Sequence, residues 1–236
     1  MSGEPIFWIA ANLMANEFPD VDEALGSPDG LLAAGGDLTN ARLMDAYQRG
    51  IFPWYSEGQP ILWWSPNPRC VLRPADLYIS RRLQRRLRTG KFRFSWDLAF
   101  LQTVNQCATA RGGKAGTWIT GAMRDAYCDL HAAGTAHSVE CWQGETLVGG
   151  VYGVAVGKVF FGESMFSGVT DGSKMCLVEL AKRLTDWDYE LIDCQVHNRH
   201  LESLGAICIP RTKFTAMLKS LCFQAPAAGA WQEARQ

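Results

Sequence analysis

The chain has 236 residues, 47% hydrophobic and 20% charged, with eight cysteines and a net charge of −1. These values fit one large globular domain, or a small one plus a medium one, and the overall charge gives no reason to expect a nucleic-acid partner. No apolar run approaches the length of a membrane span, and residues 1–10 lack a basic stretch followed by an apolar core, so a soluble cytoplasmic protein is expected.

Residues 1–68 are rich in aromatics, Pro and Gly. Phe18-Pro19, Ser27-Pro28-Asp29-Gly30 and Gly35-Gly36-Asp37 are turn signals. Thr39 or Asn40 can cap a short helix over 41–47, which Gly50 would end. Trp54, Tyr55, Trp63 and Trp64 follow, among Pro53, Pro60, Pro66 and Pro68. They read either as a small aromatic core or as stacking surfaces for nucleobases.

Cys70-Val71-Leu72 is strand-like, and Ser80 is a good helix cap. From there to residue 93 come seven cations (Arg81, Arg82, Arg85, Arg86, Arg88, Lys91, Arg93) and no acid. At about 100° per residue the five helical arginines share one arc of roughly 160°, with Leu83 and Leu87 on the far side. This is a cationic face docked by two leucines: a solvated face, or a grip on an anionic partner.

Residues 97–107 read as a helix broken by Gly112, Gly113 and Gly116. A second helix is expected over 123–133, where Met123, Ala126, Tyr127 and Leu130 recur at helical spacing. A meander follows at about 137–142, 147–156 and 159–164, with Gly157-Lys158 as a tight hairpin. Thr170, Asp171 or Ser173 then caps a helix whose core face is Leu177, Leu180, Ala181 and Leu184. After a strand at 191–196 come a short helix near 200–204, ended by Gly205, and a strand-like piece at 206–210 running toward Phe214. The Ala/Gly/Gln-rich tail from Pro226 is expected to be loosely ordered. This element order gives an α+β or mixed α/β fold, the order of acyl-transferases of the acetyltransferase type.

The strand Leu191-Ile192-Asp193-Cys194-Gln195-Val196 organises the rest. Alternation puts Asp193 and Gln195 on one face, with Ile192, Cys194 and Val196 on the other. A buried carboxylate needs a partner or work to do. A structural ion pair satisfies the first, and a second embedded acid, Glu163 in the β-like run 159–167, points toward the second. Two such carboxylates on adjacent strands would suit a basic substrate group or proton transfer.

Cys194, His197, His200 and Cys208 mimic a zinc set, but Cys194 should point away from Asp193 and the other ligands lie on a different element. No metal is expected. The eight scattered cysteines lack a CxxC pair and read as reduced, buried small hydrophobes. No nucleophile elbow or phosphate-binding loop appears. A coenzyme A pyrophosphate would need a glycine-rich turn before the 173–187 helix, and Asp171 there opposes it.

Six runs carry a resemblance: Gly30-Leu31-Leu32-Ala33-Ala34-Gly35-Gly36-Asp37-Leu38, Ala46-Tyr47-Gln48-Arg49-Gly50-Ile51-Phe52-Pro53-Trp54, Trp63-Trp64-Ser65-Pro66, Gly116-Thr117-Trp118-Ile119-Thr120, Phe161-Gly162-Glu163-Ser164-Met165-Phe166-Ser167 and the 191–196 strand. Together the chain resembles the leucyl/phenylalanyl-tRNA–protein transferases from about residue 18 to 215. The resemblance implies a small N-terminal domain (1–68) on a C-terminal acetyltransferase-like, GNAT-type domain (69–236); the sequence does not give the oligomeric state, and a monomer is the expectation. It implies transfer of Leu or Phe from aminoacyl-tRNA to the N-terminal Arg or Lys of a protein, creating an N-degron. The aminoacyl ester is already activated, so no cofactor, ATP or metal is needed.

The same resemblance implies roles. Asp193 with Gln195 orients and helps deprotonate the attacking amine, as base or as positioner. Glu163 holds that network or the acceptor's basic side chain. Trp54, Trp118, Tyr47 and Tyr127 surround the tRNA terminal adenosine, where stacking contributes about 1–3 kcal/mol per base. Val151, Phe160, Met165, Leu180 and Ile192 line the aminoacyl pocket. The family can carry Met at 151 and Phe at 180, which leaves the preference among Leu, Phe and Met open. Arg81, Arg82, Arg85, Arg86 and Arg88 contact acceptor-stem phosphates. Two alternatives are an acyl-CoA-dependent N-acetyltransferase of the same fold and a non-catalytic RNA-binding module.

Overall fold

A computed structural model describes residues 6–10, 17–111 and 117–232. The glycines expected to break the third helix, Gly112, Gly113 and Gly116, lie outside that set.

The first part of the chain builds a four-stranded sheet from β1 (Phe7–Ile9), β2 (Leu31–Gly35), β3 (Phe52–Pro53) and β4 (Leu62–Trp64), in the order β1-β2-β4-β3. Between them runs α1 (Asn40–Gln48), capped by Thr39 Oγ1, which accepts the Arg42 amide. Gly50 follows with φ 79°, and an added Cβ there would stand 2.9 Å from the Phe214 ring. Glycine is therefore required twice over, by conformation and by space.

The remainder builds a seven-stranded sheet in the order β11-β5-β10-β9-β8-β7-β6. Its members are β5 (Arg69–Leu72), β6 (Arg93–Trp96), β7 (Ala136–Gln143), β8 (Thr146–Val156), β9 (Val159–Ser167), β10 (Leu191–Gln195) and β11 (Ile207–Ile209). All neighbours are antiparallel except β9 and β10. The helices α2 (Arg81–Leu87), α3 (Phe100–Arg111), α4 (Gly121–Ala132), α5 (Gly172–Asp186), α6 (Arg199–Glu202) and α7 (Arg211–Leu221) cover both faces. α3, α4 and α7 join α1 and the small sheet in one apolar cluster, and α2, α5 and α6 form a second on the opposite face. Strand alternation sets the division: Leu191 enters the first cluster and Ile192 the second. The architecture is mixed α/β.

Three expectations change. The third helix starts at Phe100, because Asp97 adopts φ 55° and spends its carboxylate on the Ser138 amide and His137. α7 forms where the sequence suggests only a strand-like run toward Phe214; its buried Phe214, Leu218 and Leu221 recur at helical spacing. Tail residues 226–232 are ordered, and Trp231 is buried among Trp96, Trp187 and Tyr189. None of the helices among the described residues is long and apolar enough to cross a membrane.

Candidate active site

β9 and β10 pair in parallel only as far as Phe161 and Asp193. Beyond that point the register on both strands breaks. On β9, Gly162 faces Gly153 and Ser164 faces Tyr152, leaving Glu163 as the extra residue of a β-bulge. On β10, Gln195 turns into the left-handed region at φ 60°. The strands part there, and a cavity of about 620 Å³ opens at the gap.

Asp193 finds its partner in Arg69, the first residue of β5. Arg69 Nε donates to Oδ1 at 2.8 Å and Nη2 to Oδ2 at 2.6 Å, with both side chains fully buried. The guanidinium also donates to the Gly50 carbonyl at 3.0 Å and lies between the Phe52 and Phe214 rings. Asp193 Oδ1 takes one more bond, from the Gln195 amide at 2.9 Å. Asp193 is thus held in a bidentate ion pair and in turn holds the backbone of Gln195 in its strained turn. The sequence did not single out Arg69; the available signal was a cation leading an otherwise apolar strand.

Glu163 sits in a different setting. Its carboxyl contacts Tyr47 Oη (2.8 Å), Tyr127 Oη (2.6 Å) and Gln195 Nε2 (2.8 Å), while the two tyrosine oxygens are 2.7 Å apart. Burial pushes the Glu163 carboxyl up to about 7; the Tyr127 and Tyr47 hydroxyls oppose the rise, and nearby Asp193 adds to it. Counting protons gives the same answer. The triangle of two hydroxyls and one carboxyl has three short edges but only two hydroxyl protons. A proton on Glu163 completes it. Burial and the Glu163 charge push both tyrosine hydroxyls well above their usual range.

This geometry reassigns Tyr47 and Tyr127. Both rings are fully buried, Tyr47 against Phe161 and Tyr127 against Tyr152, so neither offers a free face for a base. Their hydroxyls close the hydrogen-bonded triangle with Glu163. Trp54 and Trp118 border the cavity; Trp54 is exposed and packs at a 56° tilt on Trp64. Val151, Phe160, Met165, Leu180 and Ile192 line the interior wall together with Leu177. His197, Asn198 and His200, just past Gln195, form a polar rim. The cavity is therefore lined both by these apolar side chains and by the Gln195–Glu163 pair.

On α2, Leu83 is buried as expected, while Arg81, Arg85 and Arg88 are exposed. Arg82 pairs with Asp171 at 3.2 Å, an acid from another element. Arg86 is half-buried over the Phe92 ring. α2 packs on α5, whose Ser173 and Leu177 border the cavity. α2 is thus a neighbour of the site, with Arg81, Arg85 and Arg88 exposed.

A family model described as leucyl/phenylalanyl-tRNA protein transferase matches residues 71–219, and the model for its N-terminal domain matches residues 36–67. The chain belongs to this family. The leucyl/phenylalanyl-tRNA–protein transferase of Stutzerimonas stutzeri is 54% identical over 215 residues, 91% of this chain and 95% of that protein. That of Alkalilimnicola ehrlichii is 49% identical over 228 residues, 96% of this chain and 88% of that protein. Among solved structures, a GCN5-related N-acetyltransferase from Kribbella flavida aligns with 70% of this chain and 58% of its own, at a TM-score of 0.40 and 11% identity. As a member of the transferase family the chain is an aminoacyltransferase, and the cavity at the β9/β10 gap is the natural place to look for its chemistry.

Proposed function

We propose that the chain transfers Leu, Phe or Met from aminoacyl-tRNA to the N-terminal Arg or Lys of a protein, in the cytoplasm and as a monomer. The product would be an N-degron. The observation that carries this reading is the cavity itself: an apolar pocket leading directly to a buried carboxyl–carboxamide pair. The apolar residues take the aminoacyl side chain, and the polar end takes the acceptor amine.

Aminolysis of the ester requires a neutral amine, close positioning and a place for the released proton. Asp193 is committed to Arg69, so in this reading it positions Gln195 and does not itself take the proton. Gln195 donates through Nε2 to Glu163, an arrangement that leaves its carboxamide oxygen for the amine. As the amide bond forms and the ester C–O bond breaks, the amine gives up one proton and the released ribose oxygen of the tRNA takes one; Glu163, a carboxyl near neutrality hydrogen-bonded to two tyrosines, relays it. Trp54 and Trp118 stack on the terminal adenosine, and Arg81, Arg85 and Arg88 carry the acceptor-stem phosphates. We take residues 1–68 and 69–236 as the two domains, since the small sheet's β4 ends at Trp64 and the large sheet's β5 begins at Arg69.

The coenzyme A alternative is disfavoured at the start of α5. There the Ser173 amide is already bonded to Ser167 Oγ at 2.8 Å, and Asp171 holds Arg82, leaving a poor seat for a pyrophosphate.

The test is transfer of radiolabelled Leu or Phe from charged tRNA to a protein with N-terminal Arg, beside the same protein with N-terminal Ala. Label on the Arg protein alone, without ATP, supports the reading. Equal labelling of both, or none, refutes the acceptor assignment.

A further inference from the structure

Residues 220–232 lie past the stretch matched by the family model, which ends at 219. After α7 they fold back in tight turns. The Ala227 amide donates to the Trp187 carbonyl at 2.9 Å. Gly229 and Trp231 both have positive φ, 84° and 66°. For a bulky side chain that conformation is strained and persists only where its surroundings impose it. Here they do. Trp231 Nε1 donates to Tyr189 Oη at 2.9 Å. The indole stacks on His137 at 3.9 Å between centroids and 6° between planes, and packs on Trp187 at 4.8 Å. His137 is itself fixed by Asp97 at 2.8 Å.

A ring from β9 also touches Trp231. Phe160 lies 5.8 Å away at 27°, and Phe160 is a wall of the cavity. Its other side is defined as well: a Cβ at Gly153 would stand 2.7 Å from the Phe160 ring, so the ring rests on bare backbone. Phe160 is held between β8 and Trp231. With the indole gone, it would have space to retreat and the pocket would deepen.

We propose that Trp231 is a positioning residue that fixes Phe160 from outside the cavity, sets the depth of the apolar pocket, and thereby sets the discrimination between Leu and Phe. This rests on that pocket being the aminoacyl site. A shallower pocket is matched by Leu; a deeper one gains contact with Phe and leaves Leu under-packed.

The experiment measures kcat and KM for Leu-tRNA and Phe-tRNA in the full-length chain, Trp231→Ala, Trp231→Phe and Val151→Phe. In Trp231→Ala the Phe-to-Leu ratio of kcat/KM should rise about five-fold, mainly through KM for Leu-tRNA. Trp231→Phe should keep the ratio within about two-fold, and if the alanine variant does not fold, Trp231→Leu should show the same shift in smaller measure. Equal losses on both substrates, or an unchanged ratio, overturn the proposal. Val151→Phe, which narrows the pocket directly, separates the two layers. A ratio moved by Val151→Phe but not by Trp231→Ala sinks only the role of Trp231. A ratio moved by neither sinks the aminoacyl pocket itself.

Discussion

Replacing Asp193 by Ala leaves the Arg69 guanidinium fully buried with no counter-ion. The change removes the Nε–Oδ1 and Nη2–Oδ2 bonds of 2.8 and 2.6 Å and the Gln195 amide bond of 2.9 Å. What stays with Arg69 is one carbonyl, that of Gly50, and two ring faces. Breaking a buried pair from one side costs about 3–5 kcal/mol, because the desolvation of the remaining charge is no longer offset. Release of Gln195 from its left-handed turn would also loosen its bond to Glu163. Activity lost in Asp193→Ala therefore says little about chemistry. The informative variant is Arg69→Met with Asp193→Leu, which replaces the pair by apolar groups of similar volume and should recover most of the stability. Urea unfolding followed by tryptophan fluorescence measures both proteins. The expected outcome is a loss of about 3–5 kcal/mol in the single variant and of less than about 1.5 kcal/mol in the double. If Asp193→Ala falls by less than about 1 kcal/mol, the ion pair does not hold the site and the reasoning fails. A stable double variant that has lost transfer would return Asp193 to the chemistry.

Glu163 makes stability depend on pH. Its carboxyl titrates near 7 in the fold and near 4.5 when unfolded, so the folded state holds the proton more tightly. The resulting stability is full below pH 4.5 and declines as pH rises through 7, by roughly 3 kcal/mol in all. Glu163→Gln should flatten that decline, which urea titrations at pH 5 and pH 8 would detect; an undiminished slope would mean another group is responsible. For the tRNA end, Trp54→Ala and Trp118→Ala should each weaken charged-tRNA binding by about 1–3 kcal/mol, whereas Tyr47→Phe should leave it within two-fold, a roughly 0.4 kcal/mol change. Filter binding distinguishes these, and a large effect of Tyr47→Phe would mean the ring becomes exposed on binding. Charge reversal at Arg81, Arg85 and Arg88 should lower the salt slope of tRNA binding by about 0.7–0.9 for each phosphate no longer neutralised. An unchanged slope places the grip elsewhere.

Local features were legible where local physics decides. Thr39 as the cap of α1, the hairpin at Gly157-Lys158, the core face of α5 and the two sides of β10 follow from hydrogen-bonding chemistry and from the 3.6 and 2.0 periodicities. So did the presence of buried acids at 163 and 193, because a carboxylate inside an apolar strand announces itself. Their partners did not follow. Arg69 is 124 residues from Asp193, and Tyr47 is 116 residues from Glu163. Nothing in a strand's own residues states which neighbour it will face. The bulge that isolates Glu163 depends on the register between β8 and β9, and the left-handed turn of Gln195 depends on a bond to Asp193. The tail reads as weakly structured by composition, yet Trp231 is locked in place by rings from β6, β7, β9 and the end of α5. The sequence by itself therefore determined the family, the two buried acids and most of the elements between residues 97 and 205, while the small sheet, β6 and α7 were not legible in it. Only the tertiary structure decided that one acid is neutralised by an arginine, that the other is hydrogen-bonded to two tyrosines, and that the tail packs behind the pocket. The physical reason is that burial and pairing are properties of contacts between distant segments, and only the packed chain brings those segments together.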